Sequence, residues 1–141
     1  MIRIDSSVFC RDHVIHPDGD ISLWRVFTEI NIDTELPDEP QSTLILNPPV
    51  WLISSWLIEE AADMKLYTAI ARWLAPKDHR VLRETSFELD FRQAFRYVYR
   101  LQIEELDFVG AGHYEYHVEI LGDAGWGEIS RNSLFITNDV N

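Results

Sequence analysis

Residues 84–91 read Glu-Thr-Ser-Phe-Glu-Leu-Asp-Phe, and residues 113–120 read His-Tyr-Glu-Tyr-His-Val-Glu-Ile. In the first stretch Thr85, Phe87, Leu89 and Phe91 alternate with Glu84, Ser86, Glu88 and Asp90. In the second, Tyr114, Tyr116, Val118 and Ile120 alternate with His113, Glu115, His117 and Glu119. Successive side chains of a strand point to opposite faces of a sheet, so this pattern predicts one buried and one wet face. These two stretches decide the fold class as all-β and antiparallel.

The same signal extends outward. Tyr97, Tyr99, Leu101 and Ile103 alternate with Val98, Arg100 and Gln102. Gly122-Asp123-Ala124-Gly125 predicts a turn, and Leu134-Phe135-Ile136 a closing strand. Towards the N-terminus, Ile2, Ile4, Val8, Phe9, Val14 and Ile15 lead into His16-Pro17-Asp18-Gly19-Asp20, after which Ile21 to Ile32 runs on. Pro17 presets φ, Asp18 bonds the backbone ahead and Gly19 accepts positive φ, which predicts a hairpin. Asp33 to Ser42, with Pro37 and Pro40, reads as a polar surface connector. Leu44-Ile45-Leu46 reads as a short strand, and Asn47-Pro48-Pro49 marks an edge or a crossing between layers.

Local signals conflict in the middle. Val50 to Ile58 is apolar, with Trp51 and Trp56. Glu59 to Ala75 matches a helix through Ala61, Ala62, Met64, Leu66, Ile70, Trp73 and Leu74, stopped by Pro76. Read as strands, the same segment gives two apolar runs flanking Ala61-Ala62-Asp63 and a turn at Pro76-Lys77-Asp78. Taken together, the expectation is one domain over residues 1–141, an immunoglobulin-like antiparallel β-sandwich with one short helix around residues 59–75 as the alternative to strands there.

The order of these elements resembles a known family. A strand ends in Phe9-Cys10, Pro17-Asp18-Gly19 precedes Leu23 to Phe27, and Pro76-Lys77-Asp78 precedes Thr85 to Phe91. Leu106-Asp107-Phe108 then comes before Gly112-His113-Tyr114-Glu115-Tyr116. This is similar to a bacterial family of short immunoglobulin-like β-sandwich proteins of unknown function. The resemblance covers nearly the whole chain, departs at Glu59 to Met64, and implies a fold without an activity. The Gly112-x-Tyr114-x-Tyr116 element has its own physical reading: either a tyrosine corner at Tyr114, with Tyr116 packed where a disulfide-bearing sandwich would carry cysteine, or two large, half-buried strand residues.

Composition narrows the function. The net charge is −12, from 24 acidic and 12 basic residues, which repels polyanions such as DNA. Cys10 is the single cysteine, and no stretch is long and apolar enough to span a bilayer as a helix. A cytoplasmic protein without membrane anchoring, nucleic-acid partner or cofactor is expected. No Gly-x-Ser-x-Gly elbow or phosphate-binding loop occurs. Cys10 sits beside Phe9 on an apparent core strand, where cysteine behaves as a small hydrophobe. His113, Glu115, His117 and Glu119 share one strand face, the pattern of a solvated face more than of a metal site. Arg92, Arg96 and Arg100 recur every four residues, either as a helical stripe for an acidic partner or as charges that offset neighbouring carboxylates.

Most of the five tryptophans are expected in the core. Trp126 is the exception, in a glycine-flanked loop suited to an interface anchor. The candidate interface residues are therefore Trp126, Arg96 and Arg100, with Gly19 and Gly112 as structural glycines. The functional expectation is a non-enzymatic protein-binding or assembly module with an acidic surface, whose partner is another protein or a second copy of itself. The alternatives are an acidic inhibitor or immunity-type protein on a basic partner, and a small enzyme with an unassembled site.

Overall fold

The computed structural model describes residues 2–32, 42–122 and 125–138. Nine strands and one short 3-10 turn follow in order: β1 (Ile2–Ile15), β2 (Ile21–Phe27), β3 (Glu29–Ile32), β4 (Ser42–Ile58), the turn Ala61–Asp63, β5 (Leu66–Leu74), β6 (Val81–Asp90), β7 (Arg96–Phe108), β8 (Gly112–Gly122) and β9 (Gly125–Asn138). One sheet has the order β2-β1-β4-β7 and the other β3-β9-β8-β5-β6. The adjacency of β4 and β7, opposite β9-β8-β5-β6, follows the B-E and G-F-C-C′ order of immunoglobulin sandwiches. The expected all-β sandwich is what the chain forms.

The alternating stretches place their apolar residues between the sheets. Leu89 in β6 and Phe91 just after it are fully buried, as are Tyr114 and, nearly so, Tyr116 and Val118 on β8. From the other sheet come Phe9, Leu52, Trp56, Leu106 and Phe108. An aromatic side chain buries about 150–250 Å², which at about 25 cal/mol per Å² makes each one worth several kcal/mol.

Several sequence expectations are corrected here. Glu59 to Ala75 forms no α-helix: Ala61–Asp63 is a single 3-10 turn, and Leu66–Leu74 is a strand with Ala69, Ala71 and Trp73 buried at period 2. Paired neighbours on both sides, β6 and β8, supply hydrogen bonds and packing that override helix propensity. Arg92, Arg96 and Arg100 form no helical stripe, since β7 begins at Arg96. Leu44–Leu46 is part of the 17-residue β4 rather than a separate strand. Its prolines fall in an irregularity between Ile45 and Val50, where β4 pairs with β7 but lies beyond its pairing with β1. A residue without an N–H costs least there. Ile21 to Ile32 is two strands: the chain leaves the first sheet after Phe27, and β3 then pairs parallel with β9 in the second. Apart from Ser42, the polar connector lies outside the described residues, as do positions 123–124 of the expected turn.

The first hairpin turns tightly. The His16 carbonyl accepts from Gly19 N at 2.9 Å, the Asp18 carboxylate accepts from Asp20 N at 3.0 Å, and Gly19 has φ of +92°. At the start of β8 the Tyr114 hydroxyl accepts from Val109 N (2.7 Å) and donates to Gly110 O (2.6 Å). That is tyrosine-corner geometry on the connection into the F-like strand. Gly112 is required nearby, because a Cβ there would lie 2.8 Å from the Pro76 side chain. Tyr114→Phe strands a backbone donor and a carbonyl at this corner. The expected loss is about 1–3 kcal/mol in a urea melt, with the strand content in circular dichroism unchanged.

Candidate functional site

The site begins where β1 outlasts its neighbour. β4 pairs with β1 as far as Cys10 opposite Trp51. Beyond it Asp12 to Ile15 pair only with β2, opposite Trp24 to Ile21. The result is a two-stranded ribbon projecting past the four-stranded sheet. Val14, Ile15, Leu23 and Trp24 on this ribbon are all exposed, Trp24 by 49%, as is Val26 at its base, opposite Cys10, by 54%. The outer edge of β2 has no strand partner among the described residues.

The base of the ribbon is anchored. The Arg11 guanidinium sits 4.6 Å above the Phe27 ring. His13 packs edge-on against Trp51 at 4.5 Å, and at the tip, beside the turn, His16 Nε2 lies 2.7 Å from Ser22 Oγ. Burial lowers the His13 pKa, with the nearby Arg100 charge adding to the effect and Asp12 opposing it, so the neutral ring is favoured. Cys10 is completely buried, and burial pushes its thiol pKa up, away from the reactive thiolate.

The residues singled out from sequence do not meet. Arg96 lies on the edge strand β7 and forms an exposed ion pair with Asp5 at 3.3 Å. Such pairs contribute about 0–1 kcal/mol. Arg100, two pleats along, forms no ion pair among the described residues. Trp126 belongs to the other sheet. It is not on a loop but in β9, opposite Leu121, and both are nearly half exposed. The expectation for the tryptophans also changes. Trp56 and Trp73 are buried, Trp51 is partly covered, and Trp24 and Trp126 are exposed. The ribbon was missed in the sequence because exposure there depends on β1 being longer than its partner.

The outer face of the second sheet carries a lattice of charges. Arg72 bridges Glu84 (2.8 Å) and Glu119 (2.7 Å), and Arg131 bonds Glu128 at 2.9 Å. His117 Nε2 donates to Glu115 Oε2 at 2.5 Å, and Arg131 approaches the same carboxylate at 3.7 Å. Among the described residues no group of three or more His, Cys, Asp and Glu side chains gathers to hold a metal. The arginines act here as internal counter-charges.

Glu115 is 8% exposed, and its pKa is lowered chiefly by the His117 hydrogen bond and further by Arg131, against the opposing effect of burial. A carboxylate depressed on folding adds stability above its ordinary pKa near 4.5 and loses it as pH falls through the lower folded value. Glu115→Gln is therefore expected to melt below the wild type at neutral pH. The gap closes on acidification below about 4.5, as read from melting temperature against pH.

No protein-family model matches this chain, and no curated protein matches it. Among solved structures, the crystal structure of the PmoD soluble domain from Methylocystis sp. ATCC 49242 (Rockwell) is similar in shape. It has 13% sequence identity over 96% of this chain and 90% of that one, with a TM-score of 0.40. No helix among the described residues is long and apolar enough to cross a membrane.

Proposed function

We propose that this protein is a non-enzymatic assembly module whose β1–β2 ribbon binds a second copy of the chain. One observation carries the reading: Val14, Ile15, Leu23 and Trp24 on the ribbon and Val26 at its base are exposed, and the outer edge of β2 is free among the described residues. Unpaired N–H and C=O groups on β2 can pair antiparallel with β2 of another copy about a twofold axis. That pairing also sets Leu23, Trp24 and Val26 beside side chains of the second copy, which takes part of their apolar surface from water.

Charge indicates where two acidic copies meet with least repulsion. The whole chain carries −12, whereas residues 10–27 hold Arg11 and Arg25 against Asp12, Asp18 and Asp20. The ribbon is thus close to neutral on an otherwise anionic protein. Membership of an immunoglobulin-like family and a reducing compartment belong to the same proposal. A lone thiol kept buried fits them.

Sedimentation velocity over a concentration series tests the reading. A dimer is expected that persists at high salt, because backbone pairing and apolar burial are not screened. The double variant Trp24→Glu, Val26→Lys is expected to weaken it by about tenfold or more while melting within a few degrees of the wild type. A wild type that stays monomeric at every concentration, or a double variant that dimerises as well as the wild type, overturns the proposal.

A further inference from the structure

The edge strands β6 and β7 belong to different sheets and do not pair, which leaves the sandwich open between them. Two ties cross this opening. Phe87 on β6 stacks on Tyr99 on β7, with ring centroids 4.0 Å apart. Four residues back along β6, the Arg83 guanidinium bonds the Asp107 carboxylate at 2.7 Å. Between these ties the inward side chains are small: Thr85 on β6 stands opposite Ala71 on β5. A cavity of about 320 Å³ results, lined by Phe9, Ala71, Trp73, Leu101, Leu106 and Tyr116. Its size is at the small end of the range for organic-ligand sites, about 300–1,000 Å³.

Some of the polar groups around it are paired, and one buried group is not. Trp73 Nε1 donates to the Asp107 carbonyl at 3.0 Å, and the Asp107 carboxylate accepts from Arg83 and Thr43. The Tyr116 hydroxyl is buried and has no protein partner, on a residue 93% removed from solvent. A hydroxyl shielded in this way is unfavourable unless something bonds it. Burial also raises its pKa, so it stays a donor. At the mouth, Glu104, Glu105 and Asp107 outnumber Arg83, which disfavours anions.

We propose that this cleft is a binding site for a small uncharged aromatic molecule bearing a hydrogen-bond acceptor, with the acceptor meeting the Tyr116 hydroxyl. The apolar walls take the ring, and the acidic rim selects against carboxylate- or sulfonate-bearing analogues. The site lies between the sheets and takes from β1 only Phe9, which pairs with β4 below the projecting part of the ribbon, so it stands apart from the assembly reading.

Prodan, a neutral naphthyl ketone whose emission reports both polarity and hydrogen bonding to its carbonyl, tests this directly. Titration into the full chain is expected to give saturable one-to-one binding with blue-shifted emission. Thr85→Trp, at the mouth, is expected to abolish it. Tyr116→Phe is expected to weaken it by about threefold to tenfold, the worth of one hydrogen bond, without lowering the melting temperature. Circular dichroism and melting confirm that both variants fold. Three results overturn the proposal: no saturable binding, binding that survives Thr85→Trp and so lies elsewhere, or Tyr116→Phe binding as tightly as the wild type.

Discussion

Trp73 fixes how the two sheets face each other. Its indole stacks on Tyr114 with centroids 5.2 Å apart and leans on Tyr116 at 6.4 Å, both in its own sheet. Its N–H reaches across to the Asp107 carbonyl in the other sheet. A large aromatic surface in one layer is thereby bonded through a single directed donor to the backbone of the opposite layer. Sliding either sheet past the other would break that bond. The neighbouring features follow from it. The Tyr114 hydroxyl turns the corner after β7, Gly112 lets the chain pass against Pro76, and Asp107 is held where Arg83 meets it. In disulfide-bearing immunoglobulin domains a tryptophan in the corresponding strand packs against a covalent bridge. Here it packs against Tyr116, so noncovalent contact alone sets the spacing.

How far the sequence revealed this architecture varies strand by strand, for physical reasons. β6 and β8 were legible because one face of each is wet, so their polar residues stand at every second position. β4 was harder to read because Ile53 and Ser55, on its outward face, are buried as well. A strand covered on both sides reads as a continuous apolar run, which periodicity cannot distinguish from a buried helix. β5 imitates a helix because Ile70 and Leu74 lie on its outward side at a spacing of four. The passage from β2 to β3 leaves no mark, since Thr28 is neither glycine nor proline and the apolar pattern continues through Ile30 and Ile32.

The candidate sites were less legible still, because each depends on a mismatch between elements. The ribbon exists only because β1 extends beyond its pairing with β4. The cleft exists because two edge strands from different layers meet small side chains at Ala71 and Thr85. Nothing local to Trp24 or Tyr116 signals either condition. The charged residues give the opposite lesson. A net charge of −12 suggested an anionic surface waiting for a partner, yet Arg3, Arg72, Arg83, Arg92, Arg96 and Arg131 are all engaged with carboxylates of the same chain. Arg92 alone holds Asp90 down to about 2. Composition counts charges, and only the fold shows which of them are already paired.

The parallel pairing of β3 with β9 affects the order in which the molecule assembles. Glu29 to Ile32 meet Phe135 to Asn138, across a separation of roughly a hundred residues, whereas every other ladder of that sheet joins segments much closer along the chain. Loop-closure entropy makes so distant a contact late and slow. During synthesis β3 leaves the ribosome long before its partner exists. Until then the early segment can be tethered only through the first sheet, and the second layer gains its last strand only when the late residues of β9 arrive.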